Sequence, residues 1–505
     1  MVERFLDMEE VVGPIPTVGT TKYMMDDIIQ QDSYPKYGKI AGKVLIIGFG
    51  SIGQGMLPLI LRHFYVDPAK ITVLELGEHE ELFKQRYPDI AFVSCRIKKD
   101  NLDSELSKYV DKGGLIIDCS LNIDGITIVK WALDHDVMYI NTSIERWEDE
   151  PDETLPDMAS RTLYHTHQQI RKEVGDTKGK STCVVTHGAN PGLVTHFVKR
   201  ALLDIAKAMD LKVKVPQTRQ GWAKLLQLTG TKVIQIAERD TQVIDKPKVK
   251  GEFVNTWSCE GFWAEGRAPA EMGWGSHEDP KGPDGGALHS EGPCNAAYLK
   301  QPGVATLVKS CVPTNGPYNG FLIQHSEAIT ISEWFSVMEG DKCVWRPTVY
   351  YAYCPFDGAL ASAHEFRGQE LEIQTVKRIV KDEIVSGMDE LGVLLLGHGK
   401  GAWWYGSQLT IDEARKLLPH ESATSVQVES SMLGALVWML NNPTEGYTEP
   451  EAIPFQEVLA VAGPYLGPIA STALDWTPTE DRNVLFKRAL DKDNPWRFEN
   501  FRVWS

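Results

Sequence analysis

The sequence predicts an α/β protein, in which a Rossmann-type, doubly wound parallel sheet is followed by a second α+β domain built on a mixed or antiparallel sheet. Three observations support this fold class. Short apolar runs alternate with helical segments over residues 41–190, a glycine-rich turn follows the first run, and β-rich stretches are concentrated later in the chain. Strands that alternate with helices form parallel sheets, whereas strands joined by short turns form hairpins. At 505 residues the chain is also too long for one ordinary domain.

The first domain is predicted over residues 41–190, after an N-terminal extension of mixed polarity over residues 1–40. Six short apolar runs predict strands that are buried on both faces of a parallel sheet. These runs lie at residues 43–47, 71–74, 91–93, 115–117, 137–140 and 183–185. Helices are predicted between several of the strands, at residues 56–65, 125–135 and 161–174.

The second domain, which we expect to bind substrate and to dimerise, is predicted over residues 191–505, where the alternating pattern has ended. Residues 326–337 and 343–353 are rich in β-forming residues and are joined by a short polar segment, which predicts a hairpin. Glycine and proline over residues 273–286 predict a loop. A nearly all-apolar stretch near residues 430–442 predicts a buried helix, which we expect to complete the first domain.

Charge and hydropathy argue against two classes of partner. The formal net charge is −17, which argues against nucleic acid, because phosphate binding needs clustered Lys and Arg. No apolar run approaches the length of about 18 residues that a membrane helix needs. The first 23 residues lack a basic-then-apolar signal pattern. We therefore expect a cytoplasmic protein that does not contact a membrane.

The cysteines predict neither a disulfide framework nor a metal site. None of the eight cysteines forms a Cys-x-x-Cys pair, and none is grouped with histidine at zinc-finger spacing. Free thiols in a reducing compartment are expected, without a metal ion.

A dinucleotide-binding turn is predicted directly after the first strand. Gly48-x-Gly50-x-x-Gly53 is preceded by a strand and followed by a helix, which is the context that this fingerprint requires. Gly48 permits the tight turn, Gly50 lets the backbone approach a pyrophosphate, and Gly53 allows close packing of helix on strand. The N–H groups that open the helix, at Ser51, Ile52 and Gly53, then face the phosphates. A glycine turn that binds no nucleotide is the alternative.

The end of the second predicted strand favours NAD over NADP. Glu75 can accept hydrogen bonds from the ribose hydroxyls of adenosine. Residues 76–78 include no Arg that could receive a 2′-phosphate. The sequence therefore predicts NAD as the cofactor.

Polar residues also follow three later strands, at the edge where open α/β sheets bind ligands. Ser120 and Asn122 follow the fourth strand, Thr142 follows the fifth, and Asn190 comes after the sixth. We expect these four residues to contribute to the dinucleotide site. An ordinary polar loop end is the alternative for each of them.

Six stretches of the chain resemble the homospermidine synthases, a family within the wider saccharopine dehydrogenase-like group. The stretches are GFGSIGQGMLPL at 48–59, THGANPG at 186–192, IAERDTQ at 236–242, NTWSCEGFWAE at 255–265, GWGSHE at 273–278 and WYGSQ at 404–408. The resemblance runs from about residue 40 to near the C-terminus. It implies a two-domain plan and a homodimer.

The resemblance also implies which residues surround a polyamine beside the nicotinamide ring. The implied catalytic residues are Glu145, Glu238, Trp257, Glu265 and His325. The implied substrate-binding residues are Asn190, Glu238, Trp257 and Glu265. In the implied reaction NAD accepts a hydride from putrescine, and a second amine displaces ammonia from the resulting imine, either directly or through an intermediate aldehyde. NADH then returns the hydride to give homospermidine. Spermidine could also serve as the donor of the aminobutyl group.

This chemistry suits these residue types. Putrescine is a dication at neutral pH, because its amines have pKa values near that of Lys, about 10. Glu238 and Glu265 can anchor the ammonium groups, and the face of Trp257 can stabilise a cation by about 2 kcal/mol where water is excluded. Glu145 and Glu238 are candidates for proton transfer, and His325 for proton transfer or substrate positioning.

Two other functions stay open from the sequence. A dehydrogenase acting on saccharopine or carboxynorspermidine would need Arg for the substrate carboxylates, and Arg239 and Arg267 lie close to the motifs. A non-enzymatic NAD-binding sensor would use the same fold.

Overall fold

The computed structural model describes residues 34–76, 80–150, 154–480 and 490–503. Most of the predicted N-terminal extension, residues 1–33, lies outside the described residues, as do residues 77 and 78 after the second predicted strand. Within the described ranges, no helix has the length and apolar character needed to cross a membrane.

The strands are β1 (Gly38–Lys39), β2 (Val44–Ile47), β3 (Phe64–Tyr65), β4 (Ile71–Glu75), β5 (Ala91–Ser94), β6 (Leu115–Asp118), β7 (Met138–Asn141), β8 (Cys183–Val184), β9 (Val233–Asp240), β10 (Val243–Ile244), β11 (Glu252–Asn255), β12 (Pro269–Gly273), β13 (Gly286–Leu288), β14 (Ala296–Pro302), β15 (Leu307–Val312), β16 (Gly316–Phe321), β17 (Val337–Glu339), β18 (Lys342–Trp345), β19 (Thr348–Cys354), β20 (Val376–Ile379), β21 (Ile384–Ser386), β22 (Met388–His398), β23 (Gly401–Thr410), β24 (Tyr447–Thr448) and β25 (Ile469–Leu474).

The α-helices are α1 (Ser51–His63), α2 (Glu80–Arg86), α3 (Leu102–Tyr109), α4 (Gly125–Asp134), α5 (Leu163–Val174), α6 (Leu193–Ala208), α7 (Arg219–Thr229), α8 (Cys259–Arg267), α9 (Ser326–Trp334), α10 (Asp357–Gly368), α11 (Ile411–Leu417), α12 (Ala423–Asn441), α13 (Phe455–Ala462) and α14 (Phe498–Phe501).

The first sheet is entirely parallel and has the order β24-β8-β7-β6-β2-β4-β5. It contains all six predicted strands, so the predicted Rossmann-type sheet is confirmed. Strand β24, which pairs with β8, comes from far along the chain and is too short to show a periodic pattern. The strand order reverses between β2 and β6, and the crevice at such a point is where doubly wound sheets bind ligands.

The second sheet is mixed, as predicted. Its main path is β13-β14-β12-β19-β9-β22-β23-β25, and the β15–β16 hairpin joins it through the pairing of β16 with β19. Strands β9 and β19 are parallel, and the other neighbours along the path are antiparallel. The glycine-rich segment over residues 273–286 forms the connection between β12 and β13, so the predicted loop is also confirmed.

The hairpin predicted from residues 326–337 and 343–353 is wrong over its first half. Residues Ser326–Trp334 form α9, and the observed hairpin is the shorter pair β17 and β18. Helix α9 is buried on all sides over residues 326–332. A helix without an exposed face lacks the usual alternation of an apolar and a solvated side, so its β-branched residues suggested a strand.

Helix α12 lies against α1, the helix that follows the glycine-rich turn. It begins earlier than the apolar stretch near 430–442 indicated, and it is buried over most of its length. The Glu429 carboxyl packs directly on Gly55, where a β-carbon would lie 2.0 Å from the carboxyl carbon. The buried helix thus covers the face of α1 that the first sheet leaves open.

Candidate active site

The turn between β2 and α1 has the shape of a phosphate-binding turn. Gly48 has φ +85°, and a β-carbon there would lie 2.7 Å from the Cys119 carbonyl oxygen. A β-carbon at Gly53 would lie 2.3 Å from the carbonyl oxygen of Gly48. Around Gly50, by contrast, no heavy atom lies within 4 Å of the β-carbon position. The first and third glycines therefore shape the turn, and the second leaves space for a ligand.

The start of α1 offers backbone donors rather than side chains. Gly50 makes no side-chain cap bond, and the first turn contains no acidic residue that would compete with a phosphate. The Ser51 hydroxyl shares a 2.8 Å hydrogen bond with the Ser425 hydroxyl, and the Ile52 side chain packs against the core. Ser51 and Ile52 can therefore serve an anion through their N–H groups.

Glu75 closes the turn from the neighbouring strand. Its Oε2 accepts a 2.5 Å hydrogen bond from the Phe49 N–H, and its Oε1 accepts one of 2.6 Å from the Leu76 N–H. The carboxylate therefore lies beside the glycine-rich turn, where an adenosine ribose would reach it.

Two loops adjoin this turn at the ends of β6 and β7. The Ser120 hydroxyl donates a 2.5 Å hydrogen bond to the buried Asp118 carboxylate, which also accepts one from the Tyr139 hydroxyl. Asn122 is exposed and has φ +64°. The Thr142 side chain lies 3.3 Å from the β-carbon position of Gly188, in the segment that leads to Asn190. All four loop residues predicted for the dinucleotide thus follow strands of one sheet edge.

Glu145 lies at this edge and has an unusual pKa. Its carboxylate accepts hydrogen bonds from the Ser143 hydroxyl, at 2.7 Å, and from the Asn122 backbone. Burial raises the pKa of Glu145 to about 7, and the negative charges of Glu265 and Asp118 also raise this pKa. A carboxyl group with this pKa exchanges protons readily near neutral pH.

Asn190 connects the two sheets. It follows β8 of the first sheet, and its amide donates a 3.1 Å hydrogen bond to Oε2 of Glu238 on β9 of the second sheet. The Tyr351 hydroxyl donates to the same oxygen at 2.6 Å. Because both donors use Oε2, Oε1 of Glu238 remains for a ligand. Burial raises the pKa of Glu238, and the charge of Asp240 adds to the rise.

Trp257 lies in the loop between β11 and α8 and is half-buried. Its indole N–H donates a 3.1 Å hydrogen bond to the Tyr353 hydroxyl. The Tyr353 ring stacks on that of Tyr351 with 5.2 Å between centroids. The indole is therefore linked to Glu238 through two stacked tyrosines.

Glu265 and His325 form an ion pair at the same site. Nε2 of His325 lies 3.2 Å from Oε2 of Glu265, and Nδ1 lies 3.2 Å from both oxygens of Glu327. Burial alone would lower the pKa of His325, but the charges of Glu327 and Glu265 outweigh it and hold the pKa well above the usual range. The two flanking carboxylates therefore favour the protonated imidazole.

The structure adds five residues that the sequence did not indicate: Asp240, Glu327, Tyr351, Tyr353 and Asp389. Asp240 could have been found, because it lies two residues after Glu238 on one strand and therefore on the same face. Asp389 is opposite Asp240 on β22, and burial together with the charge of Glu238 raises its pKa. This pairing depends on strand register across almost 150 residues of chain, and no local pattern reports it.

The raised pKa of Glu145 predicts how stability changes with pH. A buried carboxyl that keeps its proton in the folded state stabilises the fold below its unfolded pKa, and this stability is lost as pH rises through about 7. Buried histidines with lowered pKa act in the opposite direction below about pH 6.5. The pH dependence of the free energy of unfolding must therefore be compared between the wild-type protein and Glu145→Gln, which lacks the titrating group.

Between pH 5 and pH 8, we expect the free energy of unfolding of the ligand-free protein to fall by about 2 kcal/mol relative to that of Glu145→Gln. Urea unfolding at several pH values measures this difference. A difference that stays constant, or that grows in favour of the wild type, would contradict the burial of Glu145.

The comparisons with known proteins cover nearly the whole chain. The sequence model of the saccharopine dehydrogenase NADP binding domain matches residues 44–185, and that of the saccharopine dehydrogenase C-terminal domain matches residues 188–473. The chain is 42% identical to homospermidine synthase of Mesorhizobium japonicum over 95% of this chain and 100% of that protein. It is 40% identical to homospermidine synthase of Blastochloris viridis over 93% of this chain and 99% of that protein.

A solved structure agrees with these relatives. The crystal structure of homospermidine synthase from Legionella pneumophila, in complex with NAD, superposes with a TM-score of 0.86 at 38% identity, and covers 92% of this chain and 98% of that chain. The resemblance identified from the six sequence stretches is therefore confirmed over both sheets. The chain belongs to the homospermidine synthase family.

Proposed function

We propose that the protein is a homospermidine synthase, which transfers an aminobutyl group from one putrescine to another and releases ammonia, without net consumption of NAD. The observation that carries the proposal is the hydrogen bond from Asn190 to Glu238, because it brings the ligand-binding edge of the first sheet against an acidic, aromatic pocket of the second. Such a pocket suits a cationic substrate beside a dinucleotide.

The residues around the glycine-rich turn fit NAD. The open space at Gly50 admits a pyrophosphate, and the uncapped start of α1 supplies N–H donors for it. The matched domain family is named for NADP, but Glu75 presents a negative charge where a 2′-phosphate would lie. The carboxylate therefore favours NAD. When bound, NAD supplies a reversible hydride acceptor for the carbon beside the amine.

Gly50→Ala is expected to fold normally and to lose at least about tenfold in NAD affinity, because its methyl group would occupy the phosphate approach. Gly50 has φ −72°, which alanine adopts without strain. Gly463→Ala is the matched control, since its β-carbon position is equally open and its φ is −49°. Calorimetric titration with NAD measures both variants, and equal affinities would contradict the assignment of the turn.

The protein's own residues bind and orient the diamine. The carboxylates of Glu238 and Glu265 are negatively charged, and the ammonium groups of the substrate are positively charged. Pairing the two kinds of group offsets the free-energy cost of burying either charge. The face of the Trp257 ring can stabilise the positive charge that develops on the carbon–nitrogen bond. Such a contact does not impose a hydrogen-bond direction on the cation. The protonated His325 holds Glu265 in place through its Nε2.

The buried carboxyl groups of Glu145 and Glu238 are suited to proton transfer. Hydride leaves readily only when the adjacent nitrogen is neutral, so one ammonium must first lose a proton. Glu145 has a pKa of about 7 and Glu238 a raised pKa, so each can accept that proton and return it to the departing ammonia. Burial thus raises the pKa of both groups toward neutral pH, which suits general acid–base catalysis.

The geometry disfavours a substrate that carries carboxylates. The Arg239 guanidinium donates to the Asn315 carbonyl and lies over the Tyr318 ring, and Arg267 lies 4.0 Å from the centre of the Trp263 ring. Both arginines are therefore engaged by the protein itself, and the pocket instead presents the carboxyl groups of Glu238 and Glu265. Saccharopine or carboxynorspermidine would meet like charges there.

A product balance tests the proposed function. The protein is supplied with putrescine and about one equivalent of NAD, and homospermidine, ammonia and NADH are measured. We expect homospermidine and ammonia in equal amounts over many turnovers, without accumulation of NADH. NADH that accumulates in step with turnover would favour a dehydrogenase, and bound NAD with unchanged putrescine would favour a sensor. Spermidine offered in place of putrescine shows whether it also donates the aminobutyl group.

We also propose a cytoplasmic homodimer. All eight cysteines are free thiols, which supports a reducing compartment. The proposal of a dimer rests on the family resemblance. Light scattering of the purified protein measures its mass in solution. We expect about twice the mass of one chain, and the mass of a single chain would contradict the dimer.

A further inference from the structure

The first turn of α12 lies between the dinucleotide-binding helix and the loop that carries Trp257. On one side, the Ser425 hydroxyl shares a 2.8 Å hydrogen bond with the hydroxyl of Ser51, the first residue of α1. On the other side, the hydroxyl of Ser422, the N-cap residue of α12, donates a 3.1 Å hydrogen bond to the Thr256 carbonyl. The two serine hydroxyls are 3.1 Å apart, and Thr256 directly precedes Trp257.

Water has little access to these contacts. Ser422, Ser425 and Thr256 are each 0% exposed, and Ser51 is 7% exposed. A buried hydroxyl that loses its partner cannot replace it with solvent, so each of these bonds is costly to break. The contacts therefore hold the two segments at a fixed separation.

Thr256 is also held from the pocket side. Its hydroxyl donates a 3.3 Å hydrogen bond to Asp240, which lies on the same strand as Glu238. The indole of Trp257 is bonded to the Tyr353 hydroxyl. These contacts orient Trp257 against β9 and β19 of the second sheet, whereas the contact through Ser425 relates it to the helix at the dinucleotide.

We infer that Ser425 is a positioning residue, which sets the place of Trp257 relative to the dinucleotide. Its hydroxyl contacts those of Ser51 and Ser422, and it lies 3.5 Å from the Thr256 carbonyl oxygen. Its hydroxyl is engaged by these protein groups, so it acts through the indole rather than on the substrate. The kinetic consequence of this role rests on the proposed synthase reaction.

Ser425→Ala tests the inference, with Ser430→Ala as the matched control. Ser430 lies on the same helix and is also 0% exposed, but its hydroxyl donates within the helix, to the Gln427 carbonyl. We expect Ser425→Ala to retain NAD and to lose about tenfold in kcat/KM for putrescine, and Ser430→Ala to stay within about twofold of wild type.

A double-mutant cycle separates positioning from a general loss of stability. In a Trp257→Ala background, Ser425→Ala should lower kcat/KM much less than in the wild type, because the indole that Ser425 positions is already absent. Full additivity of the two losses would overturn the inference.

Hydrogen exchange provides a readout that does not depend on the reaction. We expect the backbone amides of residues 255–258 to exchange at least about fivefold faster in Ser425→Ala than in Ser430→Ala, both measured as NAD-bound protein. Equal exchange in the two variants would overturn the inference even if the enzyme is active. A wild type that makes no homospermidine would instead contradict the proposed function, and it would leave the exchange comparison intact.

Discussion

Trp257→Ala is expected to retain NAD and to lose at least about thirtyfold in kcat/KM for putrescine. The estimate follows from a desolvated cation–π contact of about 2 kcal/mol, which the alanine variant lacks. NAD binding should persist, because the glycine-rich turn and the start of α1 do not include this side chain. Steady-state kinetics with putrescine, together with the NAD content of the purified variant, measure both effects.

Two controls make this result specific. Trp257→Phe keeps an aromatic face but loses the hydrogen bond to Tyr353, so we expect it to retain most of the activity that alanine loses. Trp403→Ala removes a partly buried indole on β23 that bonds Ser471, and it should leave turnover nearly unchanged. Unchanged turnover in Trp257→Ala would remove this residue from the mechanism.

Glu238→Gln is expected to have a still larger effect, a loss of at least about a hundredfold in kcat/KM. The amide keeps an oxygen for Asn190 and Tyr351, so the pocket should keep its shape. It lacks both the negative charge that anchors an ammonium and the group that exchanges a proton. We therefore expect kcat to fall and KM for putrescine to rise together.

Glu390→Gln is the matched control for this variant. Glu390 is 0% exposed, close to the 2% of Glu238, and it pairs in register with Arg239, so its side chain lies on the opposite face of the sheet from Glu238. Its partners are Thr314, Asn315 and Gln408. Equal losses in the two variants would show that removing any buried carboxylate disables the protein, and would contradict a specific role for Glu238.

Much of the nucleotide site could be predicted, because its determinants are local in sequence. The strand, the three glycines and the helix are consecutive, and Glu75 ends the next strand. What the fingerprint could not show is that the Ser51 side chain faces α12 rather than the ligand. That contact joins residues 374 positions apart in the chain.

The polyamine pocket was predictable only through the family resemblance. Glu238 and Tyr351 meet because β9 and β19 are parallel neighbours, and that register is a tertiary property. His325 is the N-cap residue of α9, and its contact with Glu327 lies in the first turn of a helix that the sequence analysis assigned to a strand. Helix burial on all sides removed the periodicity that would have corrected the assignment.

A crystal structure of the protein with NAD and putrescine tests the central claim most directly. We expect one ammonium group within about 4 Å of the Glu238 or Glu265 carboxylate, and the reacting amine over the Trp257 face within about 6 Å of the ring centre, beside the nicotinamide. An indole and two glutamates that all point away from the nicotinamide ring would contradict the account.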